Sequence, residues 1–359
     1  MGKIKVGVIG VGNCFAGLIQ GIEYYRRNRK KRTGLMHEKI GGYGVEDIDF
    51  VSAFDVGKNK VGKPLSEAIF ADPNYVDWVD SVSGGDVIVK ESPILDGIGV
   101  YTVNKIDPIK QTKSVEGIEK ETIDEIENTG TEILVNYLPV GSQKATEFWA
   151  DVALKTDCAF INCIPVFIAS DEEWEKMFRK KGLPVIGDDI KSQIGATIVH
   201  RVLTKLCLDR GAEIDRTYQI NVGGNTDFLN MLERERLKSK TISKTEAVQS
   251  QLRKRLDDDN IYIGPSDFIP FLGNRKLAFI RVEGRMYANV PFNMELRLDV
   301  NDKANSGGTT IDAIRCAQLA LDRGVGGALI YPSAYLMKRP PKQMSDYEAR
   351  EKLDEWIEG

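Results

Sequence analysis

The sequence predicts an α/β fold, a doubly wound parallel sheet interrupted by an inserted α+β segment. Three observations predict it. Short β-branched or apolar runs alternate with helical stretches as far as Leu208, and strands separated by helices pair in parallel through right-handed crossovers. The first run ends in a glycine turn that opens a helix. From about Tyr218 the texture changes to longer strand-like stretches, and a helical stretch returns at Gly307.

Taken in order, residues 3–9 form a strand and a helix follows to about Arg27. A second strand, 48–54, ends at Asp55. The insertion between them begins with the basic run RRNRKKR, residues 26–32, which reads as a solvated helix end rather than a nucleic-acid contact. Strands at 133–137, 159–163 and 184–186 alternate with helices at 142–155 and 171–180. In the second part, strands are expected at 276–283 and 294–300, with a helix near 244–256 before them. A helix over 307–323 returns to the first part.

Composition narrows the function classes. A chain of 359 residues suggests about two domains. The net charge of -4 offers no field that attracts nucleic acid. The five cysteines are odd in number and scattered, with no CxxC pair, which favours free thiols in a reducing compartment. With two histidines, His37 and His200, a Ser-His-Asp triad or multi-His metal site is not expected, so Lys, Asp, Glu or Tyr must carry any proton transfer. No apolar run reaches the roughly 18 residues of a membrane span, and no secretory leader is recognisable. A cytoplasmic protein without membrane contact is expected.

In VGVIGVGNC, Gly10 and Gly12 follow a strand and precede a helix, where backbone N–H groups of Asn13 and Cys14 approach a pyrophosphate. The third glycine, Gly17, is displaced from the usual position, which Phe15 occupies. Asp55 at the end of the second strand suits adenosine ribose hydroxyls and favours NAD over NADP; its long spacing from Gly12 follows from the insertion. The first part therefore reads as a Rossmann-type unit.

GDDIKSQ, residues 187–193, carries two acids, a lysine and a serine at a strand end, where open sheets collect ligands. It is equally an N-cap with an acidic first turn. Further on, Ser243-Lys244-Thr245-Glu246 fits a capping box, making Lys244 the first residue of a helix. A cation there opposes the helix dipole unless an anion intervenes. Lys240 lies one short turn upstream. Lys276 opens an apolar strand, and Lys338 follows YPSAYLM.

Together these segments resemble the myo-inositol-phosphate synthase family, of the bacterial and archaeal type. The resemblance covers nearly the whole chain and resides in GVGNC, LMHEKIGGYGVEDIDFVSAFDV, GDDIKSQIGAT, NVGGNTDFLNMLERERLKSKTISKT, IGPSD and PSAYLMKRPP. It implies conversion of glucose 6-phosphate to inositol phosphate, the first step of inositol biosynthesis, by an isomerase that uses NAD catalytically. It implies a nucleotide-binding part over 1–195, completed by about 306–359. A catalytic and tetramerisation part would span 196–305 in a homotetramer.

By the resemblance, Lys240, Lys244, Lys276, Lys338, Asp227 and Asp302 are catalytic, and Ser192, Asn221, Asn225 and Lys244 bind substrate. Gly10, Gly12, Asn13, Cys14, Asp55, Asn136, Asp189 and Ser192 bind cofactor. Lys244 and Ser192 would grip phosphate, Lys240 and Lys338 flank the carbon 5 oxygen, and Lys276 polarise the carbon 1 aldehyde. Family members vary in their need for a divalent or monovalent cation, and no metal-ligand spacing stands out. One alternative is a net NAD-dependent dehydrogenase or reductase of a small phosphorylated or amino-acid-pathway substrate. The other is a non-catalytic NAD sensor.

Overall fold

The computed structural model describes residues 2–83, 86–264 and 267–359. Pro265 and Ser266 of the IGPSD segment lie outside the described residues. In chain order the strands are β1 (Ile4–Ile9), β2 (Ile48–Asp55), β3 (Lys90–Glu91), β4 (Ile133–Asn136), β5 (Ala159–Asn162) and β6 (Pro184–Ile186). There follow β7 (Glu213–Gly223), β8 (Ile261–Ile263), β9 (Asp267–Phe268), β10 (Arg275–Arg285), β11 (Pro291–Asn301) and β12 (Gly327–Ala328).

The first sheet runs β12-β6-β5-β4-β1-β2-β3, every pair parallel. The chain order reverses between β1 and β4, the switch point of a doubly wound α/β sheet. The central strands β4, β5 and β6 are buried at every position, so they read as continuous apolar runs rather than alternating ones. Aromatic pairs weld helices to this sheet: Phe15 meets Phe50 edge-on at 4.8 Å, and Trp149 meets Phe54 at 4.8 Å. Each fully buried apolar side chain contributes about 1.5–3 kcal/mol.

The insertion after the first helix folds back on the molecule. The His37 ring bridges Asp312 and Asp354, and Arg315 donates to the carbonyls of His37 and Glu38.

The second sheet runs β11-β10-β7-β8, with β9 beside β7. Strands β11, β10 and β7 are antiparallel, so side chains alternate between two faces. One face, with Ile280 and Val282, packs against helix Ala196–Asp209. The other leaves Ile220, Phe279 and Tyr262 exposed.

Asn301 ends β11 and caps helix Asp302–Asp322 by accepting from the N–H groups of Lys303 and Ala304. This helix is buried along most of its length and crosses helix Asn13–Arg27 closely. A Cβ on Gly17 would come within 3.0 Å of the Lys303 Cβ, and one on Gly307 within 3.4 Å of the Leu18 Cα. The displaced third glycine of the turn thus serves this helix crossing.

The expected helix at 244–256 is corrected. It spans Lys238–Gln249, so Ser243 and Lys244 lie inside it and there is no capping box. The Ser243 hydroxyl donates to the Asp189 carboxylate instead. The inward face repeats at the helical spacing Lys240, Ser243, Lys244, Ala247, but it is polar because it faces a polar cleft.

Candidate active site

Two clefts open beside the switch point. The first is lined by Gly10, Gly12, Asn13, Cys14 and Asp55, with Lys60 and Asn74 across from them. Gly10 has φ 89°, a left-handed conformation, and a Cβ there would lie 3.0 Å from the Tyr137 carbonyl oxygen. Gly12 is the N-cap of helix Asn13–Arg27 and supplies no side-chain cap, so the first-turn N–H groups are available to an anion.

Asp55 holds this loop in shape. Its carboxylate accepts from Val11 N–H at 2.6 Å, Val56 N–H at 2.8 Å and Gly57 N–H at 2.7 Å. A carboxylate has about four acceptor positions, which leaves capacity for a hydroxyl. Lys60, which sequence reasoning passed over, is buried and donates to the Val11 carbonyl at 2.8 Å. Burial holds its ammonium below the usual lysine range, opposed by Asp55. This arrangement fits a dinucleotide.

The second cleft gathers residues from far apart in the chain: Asp189, Ser192, Asp227, Lys240, Lys244, Lys276, Asp302 and Lys338, together with Lys303. Five lysines face three aspartates, so two positive charges are left over. Lys276 donates to Asp302 at 3.1 Å and lies 5.9 Å from the Phe228 ring centre. Lys338 donates to Asp189 at 2.7 Å and to the Ile190 carbonyl at 2.7 Å. Among the described residues, Lys240 and Lys244 have no ion-pair partner.

Electrostatics follow from that imbalance. Burial, and then Lys240, Lys276 and Lys338 around the same space, hold the Lys244 ammonium well below its ordinary range. Burial also lowers Lys240, where Asp189 opposes the shift and Lys338 adds to it. Burial alone would raise Asp189, but Lys338 and Lys240 keep it below the usual carboxylate range. Asp189 sits at φ 63°, a conformation costing about 1–3 kcal/mol for a non-glycine residue. Its backbone carbonyl accepts from Lys338 N–H, so the Lys338 segment grips it from two sides.

The floor of this cleft is the start of helix Ala196–Asp209. Its N-cap is Gly195, without a side-chain cap, and Gly195, Ala196 and Thr197 line the cleft. The expected acidic first turn is therefore corrected: residues 187–193 form a loop before that helix. Asp188 is buried in it, accepting from Asn162, from the N–H groups of Ile168, Ala169 and Ser170, and from the Ser170 hydroxyl.

Several expected ligand residues are placed elsewhere. Asn225 caps helix Thr226–Asn230, accepting from Asp227 and Phe228 N–H and donating to Asn274. Asn136 is fully buried beneath the clefts, where it donates to Asn162 and Thr146 and accepts from Leu138 N–H. Neither lines a cleft. Asp189 faces the lysine cleft rather than the glycine turn. Asn221 lies in β7 beside Gln219, a cleft residue that donates to it, and its own Nδ2 is buried with no hydrogen-bond partner among the described residues.

The two clefts share four lining residues, Cys14, Tyr137, Leu138 and Asp227. Sequence reasoning missed the lysine behind this shared wall. Lys303 is fully buried, ion-paired with Asp227, 3.3 Å from Asp302, and it donates to the Cys14 sulfur at 3.2 Å. Its only signal in the sequence was its place next to Asp302. Burial pushes the Cys14 thiol up to about 12, so it is a neutral wall rather than a nucleophile.

Known proteins match this chain along its whole length. The family model for myo-inositol-1-phosphate synthase matches residues 195–303. An inositol-3-phosphate synthase of Mycolicibacterium smegmatis is 50% identical over 364 residues, covering 100% of this chain and 99% of that protein. One from Mycobacterium tuberculosis, strain CDC 1551, is 50% identical over 359 residues, covering 99% of this chain and 96% of that one. The crystal structure of a myo-inositol-1-phosphate synthase-related protein from Thermotoga maritima shares the fold, with TM-score 0.84 at 24% identity and coverage of 99% and 98%. On the full-length identity, the chain belongs to the myo-inositol-1-phosphate synthase family.

Proposed function

We propose that the chain converts D-glucose 6-phosphate to 1D-myo-inositol 3-phosphate, with NAD in the glycine-turn cleft and the sugar phosphate in the lysine cleft. The observation that carries this reading is the pair of clefts sharing one wall, one built for a dinucleotide and the other holding two surplus cations. When bound, NAD supplies a reversible hydride acceptor, so that carbon 5 is oxidised early and reduced again at the end.

The chain's own residues carry the rest. The dianionic phosphate takes the surplus charge at Lys244, Ser192 and the uncapped start of helix Ala196–Asp209. Lys240 and Lys338 flank the carbon 5 oxygen. Lys240, crowded and desolvated, accepts the hydroxyl proton as that carbon becomes a ketone. The ketone acidifies carbon 6, and as the carbon 6 enolate bonds to the carbon 1 aldehyde, the carbon 6 proton passes by way of the cleft lysines to the carbon 1 oxygen. Lys276, seated against Asp302, polarises that aldehyde.

In this reading residues 1–195 with about 306–359 hold the cofactor, and 196–305 supply the catalytic and subunit-joining part. The bare face bearing Ile220, Tyr262 and Phe279 supports a homotetramer joined through the second sheet.

The test uses purified protein, glucose 6-phosphate and NAD⁺ well below the substrate concentration. Phosphorus NMR and free NADH absorbance are followed together. Inositol phosphate in many-fold excess over NAD⁺, without NADH build-up, is the expected result. NADH rising in step with substrate loss would establish a net dehydrogenase instead.

A further inference from the structure

Asp227 and Asp302 converge from opposite sides of the shared wall. Asp227 comes from helix Thr226–Asn230 after β7, and Asp302 from the first turn of helix Asp302–Asp322. Two carboxylates meeting beside a bound anion ordinarily need a cation between them. Here the space is taken. The Lys303 ammonium pairs with Asp227, lies 3.3 Å from Asp302 and donates to Cys14 in the glycine turn.

The backbone is shaped to bring it there. Gly17 lets helix Asp302–Asp322 approach so closely that a Cβ would stand 3.0 Å from the Lys303 Cβ and 3.2 Å from its carbonyl oxygen. The side chain is fully buried at the edge of the lysine cleft. Asp227, with Asp302 beside it, holds it charged despite burial. A free metal or potassium ion at this position would have to displace a resident like charge.

We propose that Lys303 is a built-in counter-ion that takes the place of a free cation at the shared wall, so that this chain needs no added divalent or monovalent metal. The donor set thus does not fit the cation that the family resemblance left open. Lys303 is a positioning residue: it neutralises Asp227, shares Asp302 with Lys276 and sets the Cys14 edge of the glycine turn. The inference rests on the synthase reading above.

The experiment strips the full-length protein with EDTA and exchanges it into a tetramethylammonium buffer. Inositol phosphate formation and NAD affinity are then measured with and without added Mg²⁺, K⁺ or NH₄⁺. The wild type should change by less than about twofold in both readouts. Lys303→Ala should lose at least about tenfold in turnover without cations, because Asp227 loses its counter-ion while Asp302 keeps only Lys276. It should regain activity on adding NH₄⁺ or Mg²⁺, and its NAD affinity should become cation-dependent. Lys303→Met, which fills the space without charge, should be as impaired and should not be rescued.

A wild type that requires an added cation overturns the proposal by itself, whether or not the variants fold. So does a folded Lys303→Ala that keeps full activity in stripped buffer. Failure of the wild type to form inositol phosphate under every condition would instead remove the synthase reading, and this inference with it.

Discussion

In the glycine-turn cleft the polar groups facing inward are mostly backbone: the first-turn N–H groups after Gly12 and a loop shaped by Asp55. In the lysine cleft they are side-chain charges from six separate segments, two of the lysines unpaired among the described residues. Backbone donors hold one shape at low cost and discriminate by fit. Clustered lysines store unfavourable repulsion that only an anion relieves. A cofactor that stays through many turnovers suits the first design, and a dianion that enters and leaves suits the second.

The largest test of this contrast is Lys244→Ala. It should lower kcat/KM for glucose 6-phosphate by about a thousandfold, in the range of removing one charge-stabilising donor. NAD affinity, read by fluorescence quenching, should stay near wild type. A parallel loss of NAD affinity would show that the clefts are not separable in this way.

Next is stability against pH. His200 is buried behind the lysine cleft, bonded to Thr217 at 2.7 Å and to Gln219, a cleft residue. Burial pulls its pKa down from 6.5 to about 4, with Gln219 opposing. The folded state therefore binds fewer protons, so stability is fully present above pH 6.5 and is lost as pH falls through about 4. A shift of this size corresponds to about 3 kcal/mol. Denaturant melts of wild type and His200→Gln across that window should converge at low pH, and parallel curves would rule His200 out.

Smaller again is Asp55→Asn, which replaces a charged acceptor of three N–H groups by an amide. NAD affinity should fall by about tenfold, while kcat at saturating NAD stays close to wild type. A collapse of kcat would make Asp55 part of the chemistry rather than of the loop. The subtlest expectation is proton uptake. Because burial and neighbouring lysines push Lys244 and Lys240 down, a bound phosphate should raise them. Calorimetry of a non-reacting sugar phosphate in buffers of different ionisation enthalpy should show uptake of a fraction of a proton. Release instead would reverse the sign argued here.

How legible was this in the sequence? The central strands were plain because β4, β5 and β6 are buried throughout. The strands β3 and β12 are two residues long and carry no periodicity to read. Helix Lys238–Gln249 was shifted because its inward face is lysine and serine, and hydrophobic patterning is blind to a helix that lines a polar cleft. Asn136 and Asn225 resembled ligands, yet their amides are consumed by the floor and by a helix cap. Lys303 was invisible because its importance comes from a helix crossing set by Gly17, nearly three hundred residues away in the chain.

The four residues common to both clefts have a thermodynamic consequence. When two ligands press on one wall, neither has an affinity of its own. Whatever factor the sugar phosphate adds to NAD binding, NAD must add to the sugar phosphate. With NAD and the sugar phosphate in the two clefts as proposed, such a wall couples retention of the cofactor to occupancy by the substrate. Variants at Cys14 or Asp227 should therefore show up first as a change in how strongly each ligand feels the other.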